Sequence, residues 1–499
     1  MTAQLPAEAR DLGPLLGPYL GRQRWFAGSE EEAGRATVVE GEVLRAGPPG
    51  LVWLLAGVDG VTYQILVGLR PGEEAAGLLQ GQEAAVLGPV AGNLTAYDAL
   101  VDPELTMVVL DLVSGGAERA ERVRPVGAEQ SNTSLIYDDR LILKVFRRVQ
   151  AGPNPDVEVT LALDEVGFNH LAAPAGHWRR GDLDLAIAQE FLNGGSEGWS
   201  LALTSLRDLY ARATRPFRPA ADRHGTPIEQ LEDDDEEEEA PGPEVAAAAG
   251  GDFGAEARRL GEMTARLHVA LARAFGTEPG RPDLWAEDVT GQVAAARAAA
   301  ERLGTDAGGA VSPELAGQEW AALLSSEVAG EAVAGMVGRL RAVEEPGVSI
   351  RVHGDYHLGQ VMRTDLGWFV LDFEGEPARP LAERRLTRSP LKDVAGMLRS
   401  FHYATAVALK ERGPDEPADR SGLDRAWEER NRASFLQGYL STPEVAELLP
   451  GPDTGLEAVL PALEMEKAAY ELTYEIAYRP GWADVPARAL HRLLGGPRP

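Results

Sequence analysis

Apolar positions along the chain fall into two regimes. From about residue 37 to 190 they cluster in short runs broken by turn residues: ATVVEGEVL, GLVWLLAGVDG, VTYQILVGL, LTMVVLDLV, TSLIYDD and RLILKVFRRV. Runs of this length, rich in β-branched and aromatic residues, predict strands. Asp59–Gly60 and Asp138–Asp139 sit where hairpin turns belong. One helix precedes this pattern and another interrupts it. One is a short amphipathic segment carrying Leu12, Leu15, Leu16, Tyr19 and Leu20; the other covers 156–166, with Asn154 or Asp156 near its start. After residue 194 the apolar positions recur at three- and four-residue spacing over 201–214, 256–276, 291–304 and 457–477, which predicts a mainly helical region. One β-like island, residues 348–377, is set into it. The expected class is α+β, with a cap at 1–100, a β-rich small lobe at 101–193 and a helical large lobe at 194–499.

Composition narrows the possibilities. The chain has 499 residues, a formal net charge of −30 and no cysteine. Without cysteine there are no disulfides, thiolate metal sites or cysteine nucleophiles. So acidic a chain lacks the Lys/Arg surplus that binds nucleic acid. Residues 232–239 are eight acids in a row, and we read 218–250 as a solvated acidic insertion. The N-terminal residues show no charged segment followed by a long apolar one, and no stretch reaches the ~18–20 apolar residues of a membrane span. The expectation is a cytoplasmic protein with no membrane partner. The basic residues are lopsided: lysine occurs only at Lys144, Lys392, Lys410 and Lys467, against 44 arginines. A lysine in this chain is therefore a notable choice.

The island carries the candidate chemistry. His353-Gly354-Asp355 is followed by Gln360 and, after an apolar run, by Asp372-Phe373-Glu374. The catalytic loop of protein kinases reads H-R-D-x-x-x-x-N with a later D-F-G, and here the spacing from acid to amide is the same. Phosphoryl transfer to an alcohol needs a carboxylate to orient the hydroxyl and take its proton, oxygens to hold Mg²⁺ against the phosphates, and a lysine on the phosphates. Asp355 suits the first role, and Gln360 with Asp372 the second. Lys144, in the apolar strand pattern LILKVF, suits the third. A lysine there is costly unless it meets a charge. Glu158, in the first turn of the following helix, is the chosen partner, with Glu165 as the alternative. Gln130, Ser131, Asn132, Thr133 and Ser134 precede that strand and are placed over the ATP phosphates by position alone. Gln189 and Phe191, at the end of the last small-lobe strand, are placed at a hinge whose backbone meets adenine.

QRWFAG at 23–28, QSNTS at 130–134, HGDYHLGQV at 353–361, VLDFEGEPARPLAERR at 370–385, SPLKDVAGMLRSF at 389–401 and EKAAYELTYEIAYRPGW at 466–482 together resemble the actinobacterial maltokinases. The likeness spans nearly the whole chain outside the acidic insertion. It implies a bilobal protein-kinase-like fold, related to the aminoglycoside phosphotransferases, with a cap subdomain on the small lobe. The implied reaction moves the ATP γ-phosphate, with Mg²⁺, to the anomeric hydroxyl of maltose. Its product, maltose 1-phosphate, would feed α-glucan synthesis. The chain departs from the family pattern after QRWFAG, where Ser29 replaces the usual lysine. Related kinases acting on glucosamine, aminoglycosides or choline share the core and remain the alternative, as does a non-catalytic scaffold.

For the acceptor sugar, Lys467, Tyr470, Glu471 and Tyr474 share a face of the C-terminal helix by spacing. The same residues could equally pack that helix into its lobe. His353, Tyr356 and Glu374 complete the acceptor candidates, although the first two suit loop shaping as well. Lys392 beside Asp393 reads as a structural salt bridge, and Lys410 as a solvated helix-end residue.

Overall fold

The computed structural model describes residues 7–127, 132–213, 253–306, 320, 322, 324–376, 379–412, 422–451 and 455–494. The acidic insertion at 218–250 and the candidates Gln130 and Ser131 lie outside them. The chain divides into two compact units, 1–164 with 171–194, and 165–170 with 195–499. The fold is protein-kinase-like, with a sheet-rich N-terminal region and a helical C-terminal region. Among the described residues, no helix is long and apolar enough to cross a membrane.

The first unit holds two antiparallel sheets. One runs β1 (Thr37–Arg45), β2 (Gly50–Val58), β3 (Val61–Pro71), β5 (Leu94–Asp98), β4 (Val86–Val90), with β9 (Arg148–Val149) also pairing with β3. The other runs β10 (Pro174–Arg180), β11 (Leu183–Glu190), β8 (Leu141–Phe146), β7 (Asn132–Tyr137), β6 (Val123–Pro125). Strand β2 shows why its sequence is apolar without alternation. Val52, Leu54 and Ala56 pack towards helix α1 (Ala7–Leu20), whereas Leu51, Trp53 and Leu55 join the core that contains Leu135, Leu143 and Leu185. Both faces are buried, as in a strand covered on two sides. The β2–β3 turn is the expected Asp59–Gly60, with both residues at positive φ. Asp138 and Asp139, also at positive φ, turn β7 into β8.

One element differs from the sequence reading. LTMVVLDLV is not a strand; it lies within helix α2 (Pro103–Ser114). Asp102 caps that helix by accepting from Glu104 N, Pro103 stands at its start, and Gly115 ends it in the left-handed conformation. Buried Leu105, Val109, Leu110 and Val113 follow a helical period. Helix α3 (Pro155–Glu165) follows β9.

The second unit is mainly helical. Helix α4 is Gly198–Ala213, α5 Gly254–Phe275, α6 Pro282–Asp306, α7 Glu327–Arg341, α8 Leu391–Arg412, α9 Leu423–Leu440 and α10 Gly455–Tyr478. Phe253, Trp368, Phe401 and Trp427 meet edge-on or tilted in its core. The β-like island is present: β14 (Val348–Arg351), paired with short β13 (Glu278–Pro279), leads to a loop, then to the hairpin of β15 (Val361–Thr364) and β16 (Gly367–Val370), with short β12 (Ser196–Glu197) beside β15.

Candidate active site

In the first unit, Lys144 lies in the middle of β8, directly opposite Ser134 of β7 and Ile187 of β11. Its Nζ meets Asp156 Oδ2 at 3.0 Å. Asp156 is buried in the first turn of α3, where Asn154 Oδ1 accepts its backbone N–H. Glu158, the expected partner, lies partly buried in the same turn, and Glu165, the alternative, is exposed at the far end of the helix. The signal for Asp156 was available, as an acid two residues after a capping asparagine at the mouth of the helix. Asn132 and Ser134 are buried within β7, and Thr133 accepts a hydrogen bond from Arg147 Nε at 2.8 Å.

The expected hinge segment, 189–192, lies just before the first unit ends at Gly194. The backbone N–H groups of Glu190 and Phe191 donate to Ala173 O and Arg140 O at 2.8 and 2.7 Å, and Asn193 N donates to Phe191 O. Those donors are committed within the chain. Gln189 Nε2 donates to Ala172 O, and the Phe191 ring lies 5.6 Å from the Arg124 guanidinium.

In the second unit, the loop after β14 is held from behind. Buried Asp393, at the start of α8, accepts the backbone N–H groups of His353 and Gly354 at 2.8 and 2.9 Å. Burial alone would raise its pKa; the His268 ring at 3.3 Å, the His353 ring and the Gly354 amide outweigh it and hold the carboxyl below its usual value. Gly354 takes φ +88°, which a side chain would resist. Gly396 of α8 has no Cβ where the Tyr356 carbonyl approaches; a Cβ there would lie 2.6 Å from that oxygen. The loop is thereby fixed against α8.

That packing decides which candidates face outward. His353 is 2% exposed, its Nε2 at 3.0 Å from Leu371 O and its ring against Phe373. Tyr356 is equally buried, with its hydroxyl 2.8 Å from Thr264 Oγ1. Neither can meet a sugar; both shape the loop. Asp355 and Gln360 remain partly exposed. The hairpin register pairs Val361 with Val370, and Leu371 N donates to Gln360 O at 2.9 Å. Gln360 and Asp372 thus arrive at the same end of the β15–β16 hairpin. Asp372 takes φ +55°, uncommon for a residue with a side chain, and its Oδ1 accepts from Glu374 N at 3.3 Å.

Lys467 of α10 is the residue the sequence placed least well. Its Nζ donates to Asp355 Oδ1 at 3.2 Å and Glu376 Oε1 at 2.9 Å, and stands 5.0 Å from the centre of the Tyr470 ring. Glu376 also binds Arg379, Arg379 lies 3.5 Å from Glu466, and Glu466 accepts from Lys392 Nζ at 2.6 Å. Lys392 therefore pairs with Glu466 rather than with adjacent Asp393. Burial would raise Glu376, but Lys467, Lys392 and Arg379 outweigh it and bring the carboxyl to about 2. Burial likewise would lower Lys467, and Glu376 and Asp355 reverse that, raising it well above its usual value. Glu471 is not directed at a ligand: it accepts two hydrogen bonds from buried Arg399, at 2.7 and 2.9 Å. Tyr474 is exposed, and its ring meets that of Tyr478 in a tilted contact at 4.7 Å. Lys410, expected in solvent, donates to Gly481 O and Asp484 Oδ1 and lies 4.1 Å from the centre of the Trp482 ring.

Gln360 and Asp372 suit a hard divalent cation, which takes carboxylate and amide oxygens. Loop, hairpin and strand lysine are parts found on protein-kinase-like folds. Residues 19–102 match the family described as the maltokinase N-terminal cap domain. Over the longer chain the similarity is to glucosamine kinases. That of Mycolicibacterium smegmatis is 29% identical over 77% of this chain and 82% of its own, and that of Streptacidiphilus jiangxiensis 26% identical over 76% and 75%. The structure of a glucosamine kinase in complex with glucosamine, ADP and inorganic phosphate superposes with a TM-score of 0.61 at 21% identity, covering 99% of this chain and all of that one.

Proposed function

We propose that this chain is a sugar kinase that transfers the γ-phosphoryl group of ATP to a sugar hydroxyl. The observation that carries the reading is the arrival of Asp355, Gln360 and Asp372 on one loop and hairpin held rigidly by Asp393. Lys467 donates to Asp355 Oδ1 and so orients the carboxylate, leaving Oδ2 to take the proton of the attacking hydroxyl. Asp372 and the Gln360 side-chain oxygen would hold Mg²⁺, which when bound neutralises charge on the phosphates. Lys144 contacts the phosphates, and Asp156 holds its ammonium in place.

Maltose is the acceptor we favour. The carboxylates around Lys467 are already matched by cations: Asp355 and Glu376 share Lys467, Glu376 also meets Arg379, Glu466 meets Lys392, and Glu471 meets Arg399. A neutral sugar suits such surroundings better than an ammonium group, which seeks an uncompensated carboxylate. Glucosamine is the second reading, favoured by relatives aligned over three quarters of the chain. The test is phosphate transfer from ATP to maltose and to glucosamine in parallel, with the phosphorylated position assigned by NMR. Maltose 1-phosphate is expected. Transfer to glucosamine alone would replace the first acceptor by the second, and transfer to no sugar would overturn the kinase reading.

A further inference from the structure

A cavity of about 590 Å³ opens within the second unit, away from the groups assigned above. Its walls are residues 166–170, one face of α5 and residues 441–444, which follow α9. Helix α5 supplies Arg266 and Arg273, two turns apart on that face. Earlier on the same helix, Arg258 pairs with Glu262 and Arg259 with Glu256, at 3.4 and 2.6 Å. Among the described residues, Arg266 and Arg273 have no ion-pair partner. In a chain with a net charge of −30, two such arginines on the wall of one cavity call for an anion.

The walls offer two kinds of chemistry. A guanidinium holds phosphate oxygens through paired hydrogen bonds. Beside the arginines, the Asn169 amide, the Ser441 and Thr442 hydroxyls and the Glu444 carboxylate supply donors and acceptors of the kind sugar hydroxyls need. Glu262 also lines the cavity, but Arg258 already meets its carboxylate. The volume falls within the ~300–1,000 Å³ usual for small-molecule sites. One wall is tied to the hairpin that carries Asp372. Val370 N of β16 donates to His170 O at 2.8 Å, and His170 Nδ1 lies 2.9 Å from Trp368 O. A carbonyl only accepts, so that nitrogen carries the proton. Burial, reinforced by the charge of Arg266, lowers the His170 pKa. Asp372 follows Val370 by two residues. We infer that this cavity is an effector site for a sugar phosphate, whose binding shifts residues 166–170 against β16 and so changes MgATP affinity at Asp372. The effect on MgATP rests on the kinase reading above; the site itself does not.

The test is calorimetric titration of the full chain with glucose 1-phosphate, without nucleotide, beside titrations with inorganic phosphate and with glucose. Glucose 1-phosphate should bind more tightly than either fragment, because it alone uses both kinds of wall. Arg266→Gln and Arg273→Gln should each weaken that binding about tenfold, the size of one lost hydrogen bond to a charged group. Neither should change the melting temperature or the kcat measured without effector. Titration with MgATP in the presence of glucose 1-phosphate should show about a fivefold change in affinity, absent from Arg266→Gln/Arg273→Gln. No binding, equally tight binding of inorganic phosphate, or wild-type binding in both variants overturns the inference. Binding that leaves MgATP affinity unchanged overturns the effector role. Inhibition competitive with the acceptor sugar, and equal in wild type and variants, overturns the site by placing the ligand in the catalytic cleft. A chain that binds glucose 1-phosphate as expected but transfers no phosphate overturns the kinase reading and leaves the site standing.

Discussion

In the first unit Arg147 is buried against one carboxylate, Asp98, with the Trp25 ring and the Thr133 hydroxyl completing its surroundings. In the second, Lys467 is partly buried between two carboxylates, Asp355 and Glu376, which continue through Arg379 to Glu466 and Lys392. The first arrangement is closed: one cation balances one anion, and a ring face shares the charge. The second is a chain of three cations and three anions in which every member has neighbours of opposite sign. Removing one member of such a chain leaves an uncompensated charge inside the protein and changes the field at Asp355. The contrast separates a device that fixes geometry from one that also carries charge to the proposed reacting group.

The sharpest break falls on Asp355. Asp355→Asn keeps the size of the side chain and removes the proton acceptor, so kcat should fall by roughly 10²–10⁴ while MgATP affinity is retained. Calorimetry beside single-turnover kinetics checks this, and near-wild-type turnover would remove Asp355 from its role. Lys467→Met comes next. It leaves Asp355 and Glu376 facing each other without their shared cation, and truncating one partner of a buried pair costs about 3–5 kcal/mol. Urea denaturation should show that loss, with kcat falling as well.

Acid sharpens the comparison further. The folded-state pKa of Glu376 is about 2, below the ordinary 4.5. A depressed carboxyl stabilises the fold above its unfolded value and loses that contribution as pH falls towards its folded value. Glu428 acts in the same sense: burial would raise it, but His402 and Arg492 bring it to about 2. Stability should therefore decline between pH 4.5 and 2, with Glu376 contributing on the order of 3 kcal/mol across that window. Lys467→Met should lose less over the same window than the wild type, because one of the cations that depresses Glu376 is gone. Melting curves at pH 7, 4.5 and 3 check this, and an identical decline in both proteins would remove Lys467 from the list of groups holding Glu376 down.

Much of this could be read from the chain because the relevant residues are close in sequence. Asp355, Gln360 and Asp372 lie on one loop and hairpin, and their spacing survives folding. The turns at Asp59–Gly60 and Asp138–Asp139 were legible for the same reason. Helix α2 was misread although its signals were present: Asp102-Pro103 at the start, Gly115 at the end and burial at 105, 109, 110 and 113. An apolar run of nine residues fits either period, and the caps were the evidence to weigh. The lysine partners were a different problem. Lys467 meets Asp355 across 112 residues and Lys392 meets Glu466 across 74, and no local pattern encodes such meetings. Tyr356 and His353 looked like site residues because they flank Asp355, yet their neighbours in space, Thr264 and Phe373, turn them into core.

Lys410 gives the smallest effect and tests whether rarity alone marks a functional lysine. Its ammonium is anchored to Gly481 O at 2.8 Å and Asp484 Oδ1 at 3.1 Å, over the Trp482 ring, so it is not the solvated residue its helix-end position suggested. Its side chain is 36% exposed, however, and water screens much of that charge. An exposed ion pair contributes about 0–1 kcal/mol, and a cation over a ring at such a site about 0.5–1 kcal/mol. Lys410→Ala should therefore lower stability by about 1 kcal/mol and leave kcat and both KM values unchanged. A change in acceptor KM would instead bring the Arg479–Trp482 segment into the sugar site, and would show that the end of α10 does more than close its own helix.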